Sequence, residues 1–282
     1  MSLVYLFSLF VLLFGFTVYP LVSKKYIGIT GHREFVPLFL LCSVIGAVIL
    51  PLIVYHSFFI QLSYVPLIAL LGLMYTVAAY LFFYSIENYN VGIISSIVGS
   101  QEVFIALFTA LFFIIADVSS VIIPFLIIIV GIILLANSNT GKSKFSKYVI
   151  FAFAAVLIWV FMWVFFYTIK TSFPLSYYAA LQFFAFVFCL PLVAYEHRRS
   201  KKHRLSIKVK KYTVFAGLLN GAATATFAFS YKINAILTPF VAQLAVPLVL
   251  ILSVVLLRER LKKLEVVALV LIIAGTFLYI II

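Results

Sequence analysis

The chain has 282 residues, 66% of them hydrophobic and only 10% charged, with a mean hydropathy of +1.29. A soluble domain carries about 25% charged and 45–50% apolar residues, so a water-soluble fold is excluded. The net charge of +13 does not mark a nucleic-acid surface, because most of the 20 Lys and Arg lie in short breaks between apolar runs and no basic domain stands apart.

Taken in order, the apolar runs predict an all-α polytopic membrane protein with ten spans, at roughly 3–23, 35–55, 65–86, 91–115, 118–136, 148–169, 175–195, 212–231, 235–257 and 264–282. A β-barrel is excluded because its strands would alternate apolar and polar residues. The first run lacks a basic n-region and reads as a span, not a cleaved signal. Cys42 and Cys189 fall inside spans and form no CxxC or disulfide framework. No soluble segment is long enough to hold a nucleotide.

The breaks after spans 1, 5, 7 and 9 carry 3, 3, 8 and 4 Lys/Arg, against only Lys170 and Lys232 on the other side. The positive-inside rule then puts the basic loops in the cytoplasm of a multi-pass cell-membrane protein and both termini outside. The longest break, Glu196–Lys211, reads as a cytoplasmic loop and topology anchor against anionic headgroups.

Five spans fill 1–141 and five fill 145–282. Phe14 and Lys25 are matched by Trp159 and Lys170 at the same spacing, and Gly131 by Gly275 at an offset of 144. Because five is odd, the second half enters the membrane in the opposite sense. The expectation is two inverted-topology five-helix repeats, a plan of secondary transporters whose site lies near the midplane between halves.

Phe14-Gly15-Phe16-Thr17, followed by Lys24-Lys25, resembles the W-G…K first-span pattern of EamA-like members of the drug/metabolite transporter superfamily. Gln243-Leu244-Ala245-Val246-Pro247-Leu248 resembles that family's l-x-P-v-f-x-a-l segment. Leu256-Leu257-Arg258-Glu259-Arg260-Leu261 resembles its l-x-E-x-l ending, and Gly275 its G-x-x-l-i. In the first half, Gln101-Glu102-Val103-Phe104 stands where proline is expected, and Asp117 replaces the loop Glu. The resemblance implies spans 1–4 and 6–9 around a central cavity, spans 5 and 10 at the periphery, and export of amino acids or related metabolites. It also implies cytoplasmic termini for many relatives, contrary to the charge count.

Among single residues, Glu102 stands first. An ionised side chain at the centre of a span costs about 2.5–3.5 kcal/mol even on insertion scales. Ser95, Gly99, Glu102 and Ala106 share one helix face, which is expected to turn inward. Burial there favours the protonated carboxyl, so Glu102 is a candidate to exchange a proton or pair with a cationic substrate, with Gln101 beside it. The plain alternative is a structural hydrogen bond. Thr76, Tyr80, Tyr84 and Glu87 share a face of span 3; Glu87 at the span's end is as readily solvated, and most aromatics in so aromatic a chain are packing residues.

Asn220 in span 8 is a mid-span amide that needs partners, whereas the small residues around it read as helix-packing positions. In span 9 Gln243 precedes Pro247 by one turn, and the missing proline N–H frees a carbonyl there. Trp159 and Trp163, one turn apart, offer an aromatic wall or simple packing.

The chain contains no HExxH, no G-x-S-x-G and no Walker A loop, and its four histidines form no metal cluster. No enzyme, metal or cofactor is expected. The reading is a secondary transporter of small metabolites, most plausibly exporting amino acids or related amphipathic or aromatic compounds, with protons as a candidate coupling ion. The alternatives are a membrane-embedded lipid-modifying enzyme and, among transporters, a cationic-drug exporter. Oligomeric state is not legible.

Overall fold

The computed structural model describes residues 3–89, 91–113, 118–137, 147–199, 207–258 and 262–281. Asp117, the boundary between the halves at 141–145, the middle of the basic loop at 200–206, and the Glu259–Leu261 stretch lie outside the described residues. The helices are α1 Leu3–Thr30, α2 His32–Tyr55, α3 Val65–Asn88, α4 Val91–Phe113, α5 Val118–Asn137, α6 Lys147–Thr168, α7 Pro174–Arg199, α8 Ile207–Ile233, α9 Leu237–Gln243, α10 Ala245–Leu257 and α11 Lys263–Ile281. A single 3-10 turn, Leu62–Tyr64, precedes α3.

Among the described residues seven segments are long and apolar enough to cross a membrane, and three further apolar helices are shorter. The chain is a multi-pass membrane protein. Its outward faces are large apolar side chains such as Phe10, Ile53, Phe112 and Val255, which suit hydrocarbon and need no protein partner.

Two boundaries differ from the sequence reading. The first helix does not stop at 23 but runs through Lys24 and Lys25 to Thr30, because nothing breaks it before Gly31. Gly31 has φ +77 and ψ 152, a conformation open only to glycine, and turns the chain directly into α2. The ninth span is two helices. Pro247 cannot donate to the Gln243 carbonyl one turn earlier, and the chain there passes through a tight turn in which the Leu244 N–H bonds to the Val241 carbonyl at 3.1 Å.

Packing across the halves sets the directions of the helices. α1 runs antiparallel to α8, with Ser8 and Ser230 hydroxyls 2.6 Å apart at one end and the Tyr26 and Tyr212 rings stacked at 4.2 Å at the other. α3 runs antiparallel to α6, where the Ser85 hydroxyl donates to the Tyr148 carbonyl at 2.9 Å and Tyr75 meets Trp159. α3 is parallel to α7, tied by Thr76 Oγ1 donating to the Ala185 carbonyl at 2.7 Å and by Tyr80 and Cys189 one turn on. α2 is parallel to α8, with Ser43 Oγ donating to the Gly217 carbonyl at 3.1 Å. Gly221 lets the Ser43 backbone of α2 approach so closely that a Cβ would lie 2.0 Å from its carbonyl oxygen.

α5 and α11 cross as an antiparallel pair with a reciprocal contact. A Cβ on Gly131 would meet the Ala268 carbonyl and the side chains of Ile272 and Leu271. A Cβ on Gly275 would meet the Pro124 carbonyl and the side chains of Ile128 and Ile127. Every one of these contacts maps onto its mate by the 144-residue offset. Gly131→Ala and Gly275→Ala should therefore destabilise by similar amounts, each about 1–3 kcal/mol, as overpacking does. Thermal unfolding in detergent checks this; a loss confined to one site contradicts the reciprocity.

Candidate substrate cavity

The interior face of α4 is built as its polar stripe requires. Ser95, Gly99 and Glu102 line a central cavity together with Val98 and Gln101, while Ala106 is buried deeper, in a second apolar cluster between α4, α5, α9, α10 and α11. Gly99 has no side chain to hold α10 away, and Val246 fills the space a Cβ would occupy. Phe16, Tyr19 and Pro20 of α1 and Tyr75 and Phe82 of α3 complete the first-half wall. Trp159 and Trp163 of α6, Asn220 and Thr224 of α8, and Ala242, Ala245, Val246 and Val249 on either side of the α9–α10 break form the other wall.

The cavity measures about 60 Å³, room for about four waters. The resemblance to EamA-like transporters implies that spans 2 and 7 share in the wall. Here α2 and α7 stand one layer behind the cavity and support α8 and α3, and α5 and α11 lie outside it as expected.

Glu102 is only 3% exposed. One carboxyl oxygen, Oε1, accepts a hydrogen bond from Gln101 Nε2 at 2.8 Å, and Oε2 has no protein partner. Gln101 Oε1, Ser95 Oγ and Trp159 Nε1 are also buried without one. Buried polar groups are normally paired, so four unmet groups around one cavity mark a place where a ligand or water completes the bonding. Among the described residues no Lys, Arg or His lines the cavity.

Asn220 is held firmly. Its amide donates to Ser43 Oγ at 3.2 Å and to the Tyr75 hydroxyl at 2.9 Å, and Thr224 Oγ1 donates to its backbone carbonyl at 2.6 Å. On α7 the Gln182 amide donates to the Tyr178 hydroxyl.

Glu102, Gln101, Asn220, Trp159 and Trp163 are thus brought together. The others are not. Thr76 and Tyr80 face α7, and Tyr84 packs against His32 and Tyr148. Glu87 accepts from the His32 backbone N–H at 3.0 Å and pairs with its imidazole at the α1–α2 turn. The face of α3 turned to the cavity is that of Tyr75 and Phe82, one residue or about 100° around the helix from the expected one. Gln243 is fully buried with both amide atoms unpartnered, but neither it nor Pro247 lines the cavity.

Sequence reasoning missed Tyr19, Tyr75, Ser43, Tyr178 and Gln182. Only Gln182, a mid-span amide like Asn220, carried a signal by itself.

The helical bundle thus holds a cavity of mixed apolar and polar lining, with walls from both the first and the second half of the chain. Residues 146–281 match the model of the EamA-like transporter family, so the second half of the chain is similar to that family. A solved crystal structure of a protein shares the fold over nearly its whole length, with a TM-score of 0.69, 14% identity, and coverage of 98% of this chain and 95% of that one. No curated protein matches the chain.

Proposed function

We propose that this protein is a secondary transporter that moves small metabolites, amino acids or related amphipathic and aromatic compounds, out of the cell. It works by alternating access of two inverted five-helix repeats, residues 1–141 and 145–282. The observation that carries the reading is the cavity, with a buried Glu102 and walls drawn from both halves.

Helix packing supports the inverted repeat. The pair α1–α8 has its counterpart in α6–α3, α2–α8 in α7–α3, and α4–α6 in α9/α10–α1, while α5 and α11 pair with each other. Proton coupling through Glu102 is part of the proposal, as is an orientation with the basic loops in the cytoplasm.

Two lysines tie helix ends together at opposite faces of the bundle, where the proposal places the two mouths. Lys24 Nζ donates to the Ile86 and Tyr89 carbonyls at 2.6 and 2.7 Å, joining α1 to the end of α3. Lys232 Nζ donates to the Ile169 and Tyr167 carbonyls at 2.6 and 2.7 Å, joining α8 to the end of α6 at the opposite face. A cation at a helix C-terminus is favourable, and each lysine bridges a pair of helices that makes few other contacts. Lys24→Met should loosen the mouth on the basic-loop side and Lys232→Met the other. A cysteine probe in the cavity, labelled with an impermeant reagent from each side in turn, should gain reactivity from opposite sides in the two variants.

Counterflow into sealed liposomes, screened over amino acids and organic cations across a pH series, tests the function itself. Accumulation of labelled cargo against its unlabelled form is expected, and absence of flux for every compound would overturn the reading.

A further inference from the structure

The unmet hydrogen bonds of the cavity are unevenly divided. Glu102 Oε2 and Gln101 Oε1 accept, Ser95 Oγ can accept, and Trp159 Nε1 is a buried N–H without a partner. Both N–H groups of the Asn220 amide are engaged, by Ser43 and Tyr75, and the Gln101 amide gives one of its two to Glu102. With no Lys, Arg or His in the wall among the described residues, an entering carboxylate would lie near the Glu102 carboxylate with only neutral donors, such as Trp159 Nε1, to receive it. Burying a charge on such terms is strongly unfavourable.

An alkylammonium group is the complement. Its three N–H donors match the three acceptors on α4, its charge offsets that of Glu102, and the Tyr19, Trp159 and Trp163 rings offer faces to a cation. We infer that the cavity selects primary amines over the amino acids of the same side chain. The inference deepens the transport reading and rests on it, narrowing the cargo from amino acids and their relatives to compounds that carry an ammonium and lack the carboxylate.

Both tryptophans of the chain line the cavity, so intrinsic fluorescence reports directly on binding there. Purified protein in detergent is titrated with isobutylamine against valine and phenethylamine against phenylalanine. Each amine is expected to change the emission with a dissociation constant at least about tenfold below that of its amino acid. In Glu102→Gln, with helical circular dichroism retained, the amine preference should vanish. Equal or tighter binding of the amino acids, no response to any of the four, or an undiminished preference in Glu102→Gln overturns the inference.

Flux in liposomes separates the two levels of the account. Amine binding without flux of any compound leaves the selectivity standing and removes the transporter. Amino-acid flux without amine preference does the reverse.

Discussion

Glu102→Gln should cut counterflow by about 10- to 150-fold at saturating wild-type substrate and remove its pH dependence, while expression and thermal stability stay near wild type. The substitution is isosteric, so Gln101 Nε2 keeps an acceptor in place of Oε1. What is lost is the charge that Oε2 presents to the cavity. A hydrogen bond to a charged group contributes about 1.5–3 kcal/mol, which sets the expected range. If flux and its pH response are unchanged, Glu102 is a structural partner of Gln101 and has no part in transport.

Gly221→Leu should abolish the folded protein rather than slow it. A Cβ at this position would lie 2.0 Å from the Ser43 carbonyl oxygen and 2.9 Å from the Ala47 nitrogen. These are backbone atoms of α2 and cannot swing aside as a side-chain end can. The helices would have to separate, breaking the Ser43 bonds to Gly217 and Asn220 and thereby releasing the Tyr75 network. A cost above about 3 kcal/mol is expected, enough to remove most folded protein from the membrane. Size-exclusion of a detergent extract checks it: a monodisperse wild-type-like peak for Gly221→Leu would mean that α2 and α8 do not pack as closely as described.

The apolar helices were legible because hydrocarbon thickness and hydropathy leave few choices: among the described residues seven segments are long and apolar enough to cross a membrane and three apolar helices are shorter, with α1 longer than its run and the ninth run broken in two. Glu102 was legible for the same energetic reason, since a mid-span carboxylate must turn inward. Rotation about a helix axis was not. α3 carries hydroxyls on neighbouring faces, at Tyr75 and at Thr76 and Tyr80, and only the packing of Thr76 on Ala185 decides which face meets the cavity.

The break at Leu244 was half legible. Pro247 announced a freed carbonyl, but the division into α9 and α10 depends on the turn that the tertiary structure accepts. Lys24 and Lys232 read as topology charges, because their carbonyl partners lie more than sixty residues away in sequence and meet them only in the folded bundle.

The central claim is that one cavity between two inverted halves opens in turn to each side of the membrane. Ser95→Cys, in protein whose Cys42 and Cys189 are replaced by alanine, places a single thiol in the cavity wall. An impermeant maleimide is applied to sealed proteoliposomes from outside and, separately, from within, with and without cargo. The account predicts labelling from both sides, with cargo raising one rate and lowering the other. Labelling from one side only, indifferent to cargo, would contradict it.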